Sequence, residues 1–136
     1  MTASEIVATM MKEDHFSQWL GITIVEQDEG RCRLRMTLRK EMLNGFGIAH
    51  GGITYSLADS ALAFASNSKG RKSVSLETSI SHLVSLKEHD CIIAEALCET
   101  ETEKLGHYSV KVYLENEPQK IVALFKGMVY KTSKSW

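Results

Sequence analysis

The sequence is poor in the residues that cross-link or interrupt a chain, with one proline, Pro118, and three cysteines among 136 residues. No repeat, low-complexity tract or Pro/Gly/Ser-rich linker divides it, and its length fits one domain. The cysteines, Cys32, Cys91 and Cys98, are odd in number and irregularly spaced, which argues against a disulfide framework. We therefore expect buried free thiols in a reducing, cytoplasmic compartment.

The sequence also has no large excess of positive or negative charge, since its formal net charge is -1. A general nucleic-acid binder would show a clear basic excess, so that class is disfavoured. No apolar run approaches the ~20 residues of a membrane span. Residues 1–16 lack the basic segment followed by an apolar segment that marks a secretory signal. The expected partners are thus neither nucleic acid nor membrane.

Hydrophobic periodicity predicts an α+β fold with an antiparallel sheet. Residues 3–20 space their apolar side chains as an amphipathic helix does, which predicts an N-terminal helix within residues 1–20. Residues 31–39 alternate apolar with Arg or Thr side chains, the period of two of a strand. Further strand patterns lie at residues 72–84, 90–102, 107–115 and 120–131, with a turn at 116–119. The order of helix, two strands, long helix and three or four strands indicates this class.

The stretch from Asn44 to Ser68 lacks lysine and arginine and holds one acidic residue, Asp59. It predicts a central helix over residues 51–68, which ends before Gly70. At about 100° per residue, the apolar side chains fill one arc of roughly 180° that should face the sheet. These residues are Ile53, Leu57, Ala58, Ala61, Leu62, Phe64 and Ala65. Asp59 lies nearly opposite the centre of that arc.

The helix face around Asp59 carries small or uncharged side chains instead of the Lys, Glu or Gln of an exposed helix. They are Gly52, Tyr55, Ser56, Ser60, Ala63 and Ser66. We infer that a second surface covers this face, most simply the same helix of a second subunit across a twofold axis. Asp59 would then be partly desolvated, which is unfavourable unless the carboxylate is hydrogen-bonded or functional. The alternative is a solvated Asp59 on an ordinary helix.

His50, Gly51 and Gly52 stand where this helix begins. A first helical turn leaves N–H groups unpaired at the positive end of the helix dipole, and glycine lets a ligand approach them. Such donors suit the oxyanion of a reacting carbonyl, although a glycine pair also makes an ordinary tight turn. Gly51 and Asp59 are ~12 Å apart along the helix axis, too far to act together within one chain. Two antiparallel helices in a dimer would bring Gly51 of one chain to Asp59 of the other.

The segment NGFGIAHGGITYSLADSA, residues 44–61, resembles the signature of the hotdog-fold acyl-CoA thioesterases, in particular the phenylacetic acid degradation type. The likeness extends to SVSLETSISHLVSL, to ALFKG and to the total length, so it covers nearly the whole chain. It implies one domain over residues 1–136, in which a five- or six-stranded antiparallel sheet wraps a long central helix. It also implies a homodimer with a continuous sheet, often paired into a homotetramer.

The resemblance implies roles for individual residues. Asp59 matches the catalytic acid, which acts as nucleophile on the thioester carbon or as base for water. Gly51 matches the backbone amide that polarises the thioester carbonyl. Asn44 and His50 match polar loop residues that orient substrate, water or the carboxylate, and Ser75 aligns with a serine near the point of attack. The alternatives are an ordinary turn at Asn44, a loop-ordering His50 and one more outward-facing serine at Ser75.

A coenzyme A substrate adds a requirement for cations near the mouth of the cleft, because its phosphates are anionic. The candidates are Arg71, Lys72, Lys87 and Lys104, each of which could instead be merely solvated. Phe46 and Tyr55 are candidates for the acyl pocket, or for ordinary packing. The histidines and cysteines show no recognised metal spacing, so we expect no metal and no cofactor beyond the coenzyme A of the substrate.

The activity that follows from the resemblance is hydrolysis of an acyl-CoA thioester, with aryl-acetyl-CoA or a related small acyl-CoA of phenylacetate degradation as the expected substrate. Two alternatives stay open. One is a non-catalytic hotdog module that binds acyl-CoA. The other is an acyl-thioester dehydratase or hydratase, whose sites usually need a histidine and an acid at other positions.

Overall fold

The N-terminal segment folds as two helices in the computed structural model, which describes residues 1–136. Helix α1 spans Ala3–Glu13 and helix α2 spans His15–Leu20. Asp14 separates them, because its backbone is not helical and its carboxylate accepts the N–H of Ser17 as the N-cap of α2. The sequence predicted a single helix over residues 3–20, because the helical spacing of apolar residues continues across Asp14. In the structure, Asp14 ends that helix and begins a second one.

Six antiparallel strands form one sheet, as the sequence predicted. Their bounds are β1 Thr23–Asp28, β2 Arg31–Thr37, β3 Arg71–His82, β4 Cys91–Glu101, β5 Leu105–Leu114 and β6 Glu117–Ser135. A short 3-10 helix at Lys40–Met42 and the long helix α3, Gly51–Asn67, lie between β2 and β3. The strand order in the sheet is β1-β2-β4-β5-β6-β3. None of the helices combines the length and hydropathy that a bilayer span requires.

The hairpin between β5 and β6 is tighter than the sequence suggested. Its turn consists of Glu115 and Asn116, and Leu114 pairs directly with Glu117. β6 therefore includes Pro118 and runs to Ser135, whereas we expected a turn at 116–119 and a strand at 120–131. Proline is accepted near the start of a strand, where no ladder hydrogen bond from its nitrogen is needed.

Helix α3 packs on the inner face of the sheet through the predicted arc. Leu57, Ala58, Ala61, Leu62, Phe64 and Ala65 are buried, and Ile53 is partly buried. They meet inward-facing side chains of the sheet such as Leu34, Met36 and Phe125. Cys32 shares this core, where burial raises the pKa of its thiol to about 12. All three cysteines are free, but Cys91 and Cys98 are only partly buried.

Part of the small-residue face of α3 is covered by its own chain. The hydroxyls of Ser60 and Ser17 lie 2.8 Å apart, which places α2 against this face. The hydroxyl of Tyr55 lies 2.5 Å from that of Thr78 on β3, and its ring packs edge-on against Phe125. The surface available to a second subunit is therefore narrower than the sequence suggested, and it excludes Ser60.

Gly127 allows α3 to approach β6 closely. A Cβ at this position would lie 2.7 Å from Cδ2 of Leu62 and 3.3 Å from Cγ2 of Thr78. Leu62 is only 1% exposed, so its side chain would have to shift within the packed region between helix and sheet. We therefore expect Gly127→Ala to lower the free energy of unfolding by about 1–3 kcal/mol, measured by urea denaturation at fixed protein concentration.

Gly45→Ala is the matched control for this measurement. A Cβ at Gly45 meets nothing within 4 Å, so its effect should stay within about 0.5 kcal/mol. Equal urea midpoints for the Gly127→Ala variant and the wild type would show that helix and sheet separate easily, and would contradict the close packing inferred here.

Candidate active site

Asp59 and Ser75 line the same cavity, a space of about 240 Å³ between α3 and β3. The Asp59 carboxylate is half-buried, and no group of the chain donates a hydrogen bond to it. Burial raises the pKa of Asp59, and the negative charge of Asp14 raises it further. An unpaired carboxylate of raised basicity, facing a cavity, is a typical arrangement for a catalytic base or nucleophile.

Gly51 and Asn44 line a second cleft, of about 290 Å³, between the first turn of α3 and the chain that follows β3. Gly51 is the first residue of α3, and its N–H has no acceptor within the chain. It therefore presents a free donor at the positive end of the helix dipole. This donor can stabilise an anion that forms in the cleft.

His50 is the N-cap of α3. Its Nδ1 accepts the N–H of Gly52 at 2.8 Å, and its own N–H donates to the carbonyl of Met42 at 2.9 Å. Because Nδ1 acts as acceptor, the neutral imidazole carries its proton on Nε2. His50 thus fixes the start of the helix while the neighbouring N–H of Gly51 stays free.

Asn44 shapes the loop that precedes α3. Its Oδ1 accepts the N–H of Phe46 at 2.9 Å and that of Ile48 at 3.4 Å. The backbone of Asn44 also pairs with that of Ile48. The side-chain NH₂ has no partner and remains able to donate to a ligand. Phe46, at the loop tip, is 90% exposed.

The four candidate cations have different surroundings. Arg71 donates to backbone carbonyls of Glu103, Lys131 and Thr132, so its guanidinium is engaged within the chain. Lys72 lies over the ring of Trp136, with Nζ 4.8 Å from the centroid. Lys87 and Lys104 are exposed and form no ion pair, so they remain free to meet an anionic ligand.

His82 was not anticipated as a site residue. It lies at the end of β3 and lines the Gly51 cleft, and its Nε2 is 3.2 Å from a Cβ placed on Gly51. In the sequence, His82 is only one of several histidines without a recognised metal-ligand spacing. No local signal predicts that the end of β3 lies against the first turn of α3. No group of three or more His, Cys, Asp or Glu side chains is arranged to hold a metal ion.

The two candidate regions do not meet within one chain. The cavity with Asp59 and the cleft with Gly51 share no lining residue. A larger groove of about 360 Å³, on the outer face of β3, β5 and β6, holds none of the predicted site residues. Within a single subunit, the Asp59 cavity and the Gly51 cleft are therefore separate.

A family model for the thioesterase superfamily matches residues 46–121, which include all of α3 and β3. The chain belongs to the thioesterase superfamily. Within this superfamily it is similar to the acyl-coenzyme A thioesterase PaaI of Escherichia coli, with 37% identity over 118 residues, 87% of this chain and 83% of that one. It is 36% identical over 127 residues to a putative esterase of Archaeoglobus fulgidus, covering 93% of this chain and 81% of that one.

Solved structures of the thioesterase superfamily confirm the hotdog fold. The Escherichia coli PaaI protein from the phenylacetic acid degradation operon superposes with a TM-score of 0.94 at 33% identity, covering 98% of this chain and 95% of that one. A Streptococcus mutans protein bound to acetyl CoA superposes with a TM-score of 0.80 at 25% identity, covering 85% and 91%. The long helix wrapped by an antiparallel sheet is thus the shared architecture.

Proposed function

We propose that this protein hydrolyses acyl-CoA thioesters. The observation that carries the proposal is the Asp59 carboxylate, half-buried in a cavity, without a hydrogen-bond donor and with a raised pKa. Similarity to the acyl-coenzyme A thioesterase PaaI supports thioester hydrolysis, and the neighbour bound to acetyl CoA supports a coenzyme A ligand.

In the proposed reaction, Asp59 either attacks the thioester carbon directly or removes a proton from the attacking water. The carbonyl oxygen becomes negative and accepts the free N–H of Gly51, which the helix dipole strengthens. Collapse of the tetrahedral intermediate breaks the carbon–sulfur bond and releases the thiolate, which takes up a proton from the water that is consumed. If Asp59 is the nucleophile, collapse leaves the acyl group as an anhydride on Asp59, and the water then hydrolyses this anhydride and restores the carboxylate. The products are the free acid and coenzyme A thiol, and one water is consumed. Asn44, His50 and Ser75 orient the reacting groups.

The proposed catalytic unit is a homodimer, in which Gly51 of one subunit meets Asp59 of the other. Its support is the separation of the two half-sites within one chain. A second support is β3, which ends the sheet and has one unpaired edge. Val74 and Leu76 on this strand are 57% and 56% exposed. Open edges of this kind are normally protected, and pairing with a second copy of β3 protects them. A homotetramer would join two such dimers.

The proposed substrate is an aryl-acetyl-CoA or a related small acyl-CoA. The likeness to a protein of the phenylacetic acid degradation operon supports this class. Phe46 lies on the exposed loop between Asn44 and Ile48, two residues that line the Gly51 cleft, and is the proposed contact for the acyl group. The Tyr55 hydroxyl is already engaged by Thr78. Lys87 and Lys104 are the preferred partners of the coenzyme A phosphates, because Arg71 and Lys72 have partners of their own. Free thiols fit a cytoplasmic location.

A thiol-release assay over aryl-acetyl, short-chain and long-chain CoA esters tests the proposal. We expect equal amounts of coenzyme A thiol and free acid, with the highest kcat/KM for aryl-acetyl or other small esters. Saturable binding without hydrolysis across the panel would instead indicate an acyl-CoA-binding module. An intact thioester with an altered double bond would indicate a dehydratase or hydratase.

A further inference from the structure

A short run of hydrogen bonds connects the N-terminal helices to α3 beside Asp59. The Asp14 carboxylate accepts the N–H of Ser17 at 2.9 Å and the hydroxyl of Ser17 at 2.7 Å. The same hydroxyl lies 2.8 Å from that of Ser60, the residue that follows Asp59. Ser17 is 0% exposed and Ser60 is 9% exposed, so neither can exchange its partner for water freely.

The direction of these bonds follows from the chemistry of the groups. An ionised carboxylate only accepts, so Ser17 donates its hydroxyl proton to Asp14. The oxygen of Ser17 is then the acceptor, and Ser60 donates to it. Because both buried hydroxyls are hydrogen-bonded, the arrangement holds the Asp14 carboxylate in one place against α3.

We propose that Asp14 is a positioning residue of the reaction, whose negative charge is held beside Asp59 by the hydrogen bonds of Ser17 and Ser60. The inference rests on the proposed role of Asp59 in hydrolysis. Asp14 does not contact the reacting atoms in this scheme. It acts through the electrostatic environment of the carboxylate that does.

No other charge in the chain competes with Asp14 at this point. The cavity around Asp59 is lined by side chains that do not titrate: Leu62, Ala63, Ser66, Ser73, Val74, Ser75 and Val129. On α3 itself, Tyr55 turns to Thr78, and on β3 the Lys72 ammonium lies over Trp136. After burial, Asp14 is the remaining cause that raises the pKa of Asp59. Repulsion between two carboxylates favours a proton on one of them.

The arrangement benefits catalysis because an unperturbed aspartate, with a pKa of about 3.9, is a weak base near neutral pH. A base becomes more effective as its pKa approaches the working pH, provided that it remains ionised. Asp14 moves Asp59 in this direction without adding a group to the reaction chamber.

Asp14→Asn tests the inference, because asparagine removes the charge and caps a helix as well as aspartate does. Its amide oxygen can still accept the N–H of Ser17, while its NH₂ can donate to the Ser17 hydroxyl in place of the second accepting oxygen. The pH dependence of kcat/KM for an aryl-acetyl-CoA ester is measured for the variant and the wild type. We expect the acidic limb to move to lower pH in the variant, since Asp59 loses a proton more readily without a like charge beside it. The rate on the plateau should fall several-fold, because Asp59 becomes a weaker base.

Glu13→Gln is the matched control, since it removes one negative charge from the neighbouring, exposed residue of α1. Its pH profile should superimpose on that of the wild type. A lower melting temperature of the Asp14→Asn variant with an unchanged acidic limb would show a merely structural role and overturn the proposal. An equal displacement of the acidic limb in both variants would overturn it as well.

A titration of the Asp59 carboxyl by ¹³C NMR separates this inference from the proposed function. The pKa of Asp59 should be lower in the Asp14→Asn variant than in the wild type, whether or not the protein turns over a given ester. An unchanged pKa refutes the influence of Asp14. A third outcome is a lowered pKa of Asp59 in the variant together with a wild type that does not hydrolyse CoA esters. This outcome refutes the proposed reaction and the catalytic role of Asp14. The electrostatic effect of Asp14 on Asp59 would still hold.

Discussion

Replacement of Asp59 by asparagine is expected to lower kcat for CoA-ester hydrolysis by about 10²–10⁴-fold. The amide is neither a competent nucleophile nor a base, but it has nearly the same size as the carboxylate. Binding of the ester should therefore be retained. Single-turnover thiol release measures the chemical step, and calorimetric titration with the intact ester measures binding. Hydrolysis at the wild-type rate would remove Asp59 from the proposed mechanism.

Thermal unfolding provides the folding control for the Asp59→Asn variant. The folded state raises the pKa of Asp59, so it favours the protonated form and is destabilised once the group ionises. This unfavourable effect is complete above the folded-state pKa and disappears below the unfolded value of about 3.9. The variant should thus melt above the wild type at pH 7, and the difference should vanish towards pH 3. A lower melting temperature at pH 7 would reveal a stabilising partner for the carboxylate.

Two inactive variants are expected to restore activity when they share one dimer. Gly51→Pro removes the N–H at the first helical position, where proline is otherwise well accepted. Loss of one such donor should lower kcat by about 10²–10³-fold. A mixed dimer of the Gly51→Pro and Asp59→Asn chains would contain one site with both groups intact and one site with both altered. Its activity should reach about half that of the wild-type dimer.

Co-expression with two different affinity tags isolates the mixed dimer for this measurement. Gly51→Ala is the matched control, because it introduces the same Cβ beside His82 and keeps the N–H. Its activity should remain well above that of Gly51→Pro. The Gly51→Pro and Asp59→Asn chains, each expressed alone, should stay inactive. A mixed dimer without activity would show that both groups serve the same chain's site, and the composite site would be rejected.

The sequence predicted those helices and strands in which one face packs against a single neighbouring element and therefore carries the apolar residues. β2 alternates because one face meets α3, and α3 buries the predicted arc because one face meets the sheet. It did not predict the break at Asp14, since the apolar residues keep their helical spacing on both sides of that residue. Nor did it predict the hairpin turn at Glu115 and Asn116, which depends on the register between two strands.

In the candidate site, too, the sequence predicted residues that share a local pattern and missed those that only packing brings together. Asp59, Gly51 and Asn44 lie in one segment with a recognisable pattern, and their catalytic roles remain predictions. The shared cavity of Asp59 and Ser75 arises from the docking of α3 against β3, which no local pattern encodes. His82 and Asp14 were missed for the same reason. The end of β3 brings His82 to Gly51, and the packing of α2 against α3 brings Asp14 to Asp59.

The strand β3 is at once the open edge of the sheet and a wall of the Asp59 cavity. In the proposed dimer, self-association and substrate turnover would therefore depend on the same few residues. Specific activity would fall on dilution as subunits separate, and added substrate would slow that loss. A compound that caps this strand would inhibit the enzyme without entering the reaction chamber.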